Sequence, residues 1–101
     1  MYRVDISPDA KFVLNTYVDL CLEDNGEDCA MRLLDSYEEG IEYLEKTPEA
    51  GCGRLQYIPS KYRVRRFWPH LWFVYQIIHM EQVVKIEYII DDRQNYGSFV
   101  R

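Results

Sequence analysis

Tyr2, Val4 and Ile6 alternate with Arg3 and Asp5, the period of two expected of a half-buried strand. Ser7-Pro8-Asp9 then reads as a helix start. The Ser7 hydroxyl can cap, Pro8 has no amide hydrogen to lose at the first helical position, and Asp9 suits the positive end of the helix dipole. Ala10, Val13, Leu14, Tyr17, Val18 and Cys21 follow at helical spacing until Asp24-Asn25-Gly26, where glycine can take the left-handed conformation that ends a helix. A second stripe begins almost at once with Ala30, Leu33, Leu34, Tyr37, Ile41 and Leu44. Arg32, Asp35, Glu38, Glu39, Glu42 and Glu45 lie mostly off it. Thr47-Pro48 stops this helix, because a residue before proline is pushed out of the α region. So short a link makes the two helices an antiparallel hairpin whose apolar stripes are core.

After a loop at Glu49-Ala50-Gly51-Cys52-Gly53, the pattern turns to strands. A short one over residues 55–58 ends at Pro59-Ser60. In the next, Tyr62, Val64 and Trp68 fall on one face and Arg63, Arg65 and Phe67 on the other. Trp68-Pro69-His70 turns the chain into residues 71–78, apolar at nearly every position, as a central strand covered on both faces requires. His79-Met80-Glu81-Gln82 makes a hairpin turn, and Val84, Ile86, Tyr88 and Ile90 form the inner face of a last strand, with Lys85 and Glu87 outside. Asp91 onward is a polar tail carrying Tyr96 and Phe99. The order β-α-α-β-β-β-β predicts a single α+β domain over residues 1–101: a helical hairpin packed on one face of a curled, largely antiparallel sheet.

Composition adds three exclusions. With 48% hydrophobic and 29% charged residues, the chain is neither disordered nor of low complexity. Its longest stretch free of Asp, Glu, Lys and Arg is the 14 residues 67–80, too short to span a bilayer, and Met1-Tyr2-Arg3-Val4-Asp5 lacks the apolar core of a signal peptide, so a cytoplasmic location is expected. Cys21, Cys29 and Cys52 are an odd set without a CxxC pair, and His70 and His79 lie far along the chain, so neither a disulfide framework, a metal nor a cofactor is expected. The net charge of −5 is divided unequally: residues 1–53 carry −9 and residues 54–101 carry +4, with Lys61-Tyr62-Arg63-Val64-Arg65-Arg66 the densest positive cluster. Such polarity gives one acidic and one basic side. The arginines of that cluster either form an effector surface or pair as a solvated face with the acidic half.

Several segments together resemble the RelE/ParE superfamily of bacterial toxins. They are the opening Tyr2-Arg3-Val4-Asp5-Ile6-Ser7-Pro8-Asp9-Ala10, the helix end Thr47-Pro48-Glu49-Ala50-Gly51-Cys52-Gly53-Arg54, then Tyr62-Arg63-Val64 and His70-Leu71-Trp72-Phe73-Val74-Tyr75, and last Val84-Lys85-Ile86-Glu87-Tyr88-Ile89-Ile90 ending at Asp92-Arg93-Gln94. The resemblance covers nearly the whole chain and rests on the order and spacing of these segments. It implies a type II toxin–antitoxin module, growth inhibition and plasmid stabilisation, and a cognate antitoxin whose flexible segment wraps the toxin, in a homo- or hetero-oligomer.

The superfamily divides between a RelE-like branch that cleaves messenger RNA on the ribosome and a ParE-like branch that poisons DNA gyrase without established catalytic residues. Cleavage by a ribose 2′-hydroxyl needs a base, an acid and cations for the phosphorane. By resemblance, Arg63 and Arg65 fall where the RNA-cleaving branch places lysines, and Arg93 where it has a phosphate-contacting arginine. Trp72, however, stands where that branch carries an arginine, and Phe99, which cannot transfer a proton, falls near its C-terminal tyrosine. Tyr96, His70 and His79 are the remaining proton carriers considered, and arginine is too basic for the task. The acid–base set is incomplete, and the net acidity opposes steering toward RNA. The expectation is therefore a ParE-like toxin that binds gyrase without catalysis of its own, with Arg63, Arg65, Arg93 and Phe99 as target-contacting residues. A ribosome-dependent mRNA endoribonuclease and a non-toxic interaction module on the same fold are the alternatives.

Overall fold

The computed structural model describes residues 1–49 and 61–93. Within them the chain forms β1 (Arg3–Ile6), α1 (Pro8–Asn25), α2 (Glu27–Lys46), β2 (Arg63–Trp68), β3 (Leu71–Ile78) and β4 (Val83–Asp91). The helix starts and stops follow the local chemistry. Ser7 Oγ accepts the Ala10 amide at 3.0 Å, with Pro8 at the first helical position. Gly26, at φ 82°, joins the two helices: its amide donates to the Leu22 carbonyl at 3.2 Å and its own carbonyl accepts from Ala30 at 3.4 Å. Only a residue without a Cβ takes that backbone conformation cheaply. The Thr47 amide closes α2 on the Tyr43 carbonyl at 2.8 Å. None of the helices among the described residues is long and apolar enough to cross a membrane.

The four strands form one open mixed sheet in the order β1-β4-β3-β2, with β1 parallel to β4 and the other two pairings antiparallel. The parallel edge follows from the connection: two helices intervene after β1, so β1 docks beside the last strand rather than the next. The helical hairpin covers one face. Ala10 and Leu14 of α1 and Leu33 and Leu44 of α2 close over Leu71, Phe73, Tyr75, Val84, Ile86 and Ile89. The Tyr75 hydroxyl donates to the Pro48 carbonyl at 2.7 Å and pins the end of α2 to the sheet. The opposite face carries a smaller cluster of Val64, Val74 and Ile90 with Tyr62, Trp72 and Tyr88. The residue-71–78 strand is thus central and apolar on both faces, as its composition requires.

Three features differ from strict periodicity. Val74 pairs with Tyr88 but Tyr75 pairs with Ile86, which leaves Glu87 as the extra residue of a β-bulge. Past it the facing inverts, so Ile89 joins the helix-covered core while Tyr88 and Ile90, expected there, lie on the other face. A second irregularity between Arg66 and Trp68 brings both Phe67 and Trp68 against the helix-side core, although alternation had put them on opposite faces. On α2, Leu34 is 38% exposed and not part of the core, whereas Leu33 is fully buried. The buried residues Ala30, Leu33, Gly40 and Leu44 make a narrow stripe one residue away from it. The short strand expected over residues 55–58, Cys52 and the tail with Tyr96 and Phe99 lie outside the described residues.

Candidate interaction surface

β2 lies at the end of the sheet order, and its alternation puts Arg63 and Arg65 on the side that α2 covers and Arg66 on the other. Arg63 is exposed, in register with Tyr75. Arg65 is half-buried because Tyr43 of α2 reaches over it, with the guanidinium carbon 3.6 Å from the ring centroid. The stack holds the cation flat on an aromatic face. Its Nε is buried and has no hydrogen-bond partner among the described residues. Arg66 lies 6.0 Å from the Trp72 ring centroid and Lys61 Nζ lies 5.0 Å from that of Tyr62. Between α2 and β2 runs an open groove of about 250 Å³, lined by Ser36, Glu39, Gly40, Tyr43, Arg65, Arg66 and Phe67. Gly40 sets its depth: a Cβ there would meet Phe73 Cε2 at 2.7 Å, so only glycine lets α2 lie this close to the sheet.

A second polar cluster forms where β4 ends. Asp91 is 1% exposed, yet its carboxylate accepts from the Arg93 amide at 2.9 Å, Arg93 Nε at 3.0 Å, Arg93 Nη2 at 2.7 Å and the Tyr17 hydroxyl at 2.7 Å. The Arg93 guanidinium holds the Asp91 carboxyl down at about 2, against the opposing effect of burial, with the Arg93 amide and Tyr17 adding to the depression. The same pairing raises the Arg93 guanidinium further. Beside it, Asp92 accepts from Trp72 Nε1 at 2.9 Å and lies 2.8 Å from His70 Nδ1. The Trp72 hydrogen bond and then that of His70 keep this carboxyl below the usual range. The Asp92 amide also donates to the His70 carbonyl at 2.9 Å, which ties the turn before β3 to the end of β4.

His70, Asp91 and Asp92 place three groups able to ligate a metal, one imidazole and two carboxylates, with their atoms within 4.8 Å of one another. Their oxygens are already committed to Arg93, Tyr17, Trp72 and His70, and a guanidinium 2.7 Å from Asp91 opposes a second cation. The donor set therefore serves an ion-pair network first.

The predicted contact residues do not form one site. Arg63 and Arg65 neighbour each other on β2, but the Arg63 row of the sheet is four residues from the row of Leu71 and Asp91. At about 3.3 Å per residue, Arg93 lies roughly 13 Å or more farther along the strands. Phe99 is outside the described residues. Trp72 packs in the cluster on the face away from the helices and donates to Asp92, in keeping with a packed sheet at that position. His79 lies at the opposite end of β3 from His70, with its Nδ1 3.2 Å from the Tyr2 hydroxyl and 3.5 Å from Glu49 Oε1. Tyr43, Tyr17, Asp91 and Asp92 were not among the sequence candidates. The consecutive acids closing an apolar strand were the one available signal for the last two.

No known family profile and no curated protein matches the sequence. Solved structures do. The chromosomal ParDE TA system from Pseudomonas aeruginosa matches with a TM-score of 0.71 at 18% identity, covering 90% of this chain and 96% of that one. A metal-bound toxin from Helicobacter pylori matches with a TM-score of 0.65 at 20% identity, over 92% of this chain and 97% of the other. The Escherichia coli DinJ–YafQ complex follows at 0.56 and 11% identity, over 92% and 96%. The chain has the α+β fold of RelE/ParE-like toxins, nearest among these to the ParDE structure.

Proposed function

We propose that this chain is the toxin of a type II toxin–antitoxin module, held inactive by a cognate antitoxin, and that it stops growth by binding DNA gyrase rather than by cleaving RNA. The carrying observation is the likeness to the ParDE structure over 90% of the chain. The arrangement of side chains supports the non-catalytic reading. Among the described residues around the β2 arginines the groove offers Tyr43, Glu39 and Ser36 but no imidazole, and arginine is too basic to shuttle protons near neutral pH. A surface of fixed cations beside an aromatic ring suits binding.

One observation favours the RNA-cleaving alternative. His70, backed by Asp92 at 2.8 Å, shares the end of β4 with Arg93, which puts a buttressed imidazole near a cation. Pulse labelling after induced expression in bacteria separates the two. Early loss of DNA synthesis with protein synthesis intact is the expected result. Early loss of protein synthesis transfers the function to the His70–Arg93 end. If neither falls, the chain is an interaction module without toxicity.

A further inference from the structure

Arg65 is a cation whose Nε finds no acceptor among the described residues. The Tyr43 ring covers one face of its guanidinium at 3.6 Å, so little conformational freedom is left to lose on binding. Among the described residues its Nε–H lacks an acceptor. The residue as a whole is only half-buried, so the rest of its guanidinium can meet a ligand in the groove. The side chain lines an open groove of about 250 Å³ with Phe67 and the Tyr43 ring as apolar walls.

The surroundings select the ligand. α2 carries Glu27, Asp28, Asp35, Glu38, Glu39, Glu42 and Glu45 against only Arg32 and Lys46, and Glu39 lines the groove. A polyanion such as a nucleic-acid backbone would run against that wall, whereas one carboxylate flanked by lysines or arginines would not. Guanidinium and carboxylate also match as a bidentate pair. We propose that the α2–β2 groove is a docking site for a segment of the antitoxin that places one Asp or Glu side chain on Arg65, apolar side chains on Phe67 and Tyr43, and basic side chains along α2. The identity of that partner rests on the toxin reading above; the groove chemistry is testable without it.

The test uses the purified full chain and three probes: a short blocked peptide of leucine and lysine with one central glutamate, the same peptide with glutamine, and an oligouridylate of equal length. The glutamate peptide is expected to bind about tenfold or more tightly than the glutamine peptide, the order of loss when a desolvated charge pair is broken. Arg65→Gln should erase that difference. Arg65→Lys, which keeps the charge but loses the flat fork, should erase most of it, and it is the substitute if the first variant fails to fold. Equal binding of the two peptides to the unaltered chain overturns the proposal. Tighter binding of the oligouridylate overturns it in favour of a phosphate site. Both results are independent of whether expression arrests growth.

Discussion

Asp91 shows how one side chain can be both buried and charged. Its carboxylate accepts four hydrogen bonds from Arg93 and Tyr17, so desolvation is offset by a nearly complete set of donors. Because the folded-state value is lowered to about 2, the unfolded chain takes up the proton first as the solution is acidified. The stability from this group is therefore fully present above about pH 4 and is lost as pH falls toward about 2. Asp91→Asn should lower stability at neutral pH by about 2 kcal/mol and also flatten that acid limb. Denaturant midpoints measured between those pH values check both, and an unchanged acid limb would show that the network is not the source. Ser7 has a similar dual role, capping α1 at Ala10 and donating to the Glu87 carbonyl on the bulge at 2.6 Å. Ser7→Ala should cost about 1–2 kcal/mol in thermal or chemical unfolding, more than a cap alone, because the bulge carbonyl loses its donor as well.

At the level of elements, helix boundaries were legible and facing was only partly so. Ser7-Pro8, Gly26 and Thr47-Pro48 act on the local backbone, and each stands where a helix begins or ends. The bulge at Glu87 is set by pairing with Tyr75 and Ile86 across the sheet, information that alternation within one strand does not contain. Leu34 misled for a related reason: a stripe on a helix wheel gives the apolar side, but the neighbouring sheet decides how wide a band is covered. Leu33→Ala should thus cost about 2–5 kcal/mol and Leu34→Ala under about 1 kcal/mol, read as the difference in unfolding midpoints. Gly40→Ala sharpens the contrast. In an open helix the change would gain about 1 kcal/mol. Here the new methyl meets Phe73 Cε2 at 2.7 Å and Phe67 Cβ at 3.3 Å, so a net loss of about 1–3 kcal/mol is expected from forced repacking. A gain in melting temperature would mean that α2 can lift from the sheet at little cost.

The whole molecule brings its two charge halves together rather than holding them apart. The acidic α2 and the arginine-bearing β2 are walls of one groove, and the candidate site there was half-visible: Arg63 and Arg65 could be read from the chain, but Tyr43 reaches Arg65 only through the fold. Arg93 belongs to a different end, and its role there changes how it must be tested. Its side chain is 60% exposed, which invites the expectation that Arg93→Ala leaves the fold intact. The partner Asp91 is buried, however, so removing Arg93 leaves an interior carboxylate without its guanidinium. Arg93→Ala alone should therefore lower the melting temperature, and combining it with Asp91→Asn should recover much of the loss. Growth arrest on expression is then informative in the doubly altered, folded chain. If Arg93 contacts the target, that chain loses toxicity as Arg63→Ala does. If toxicity survives while Arg63→Ala abolishes it, the end of β4 is a structural clasp and the effector surface is confined to the β2 edge.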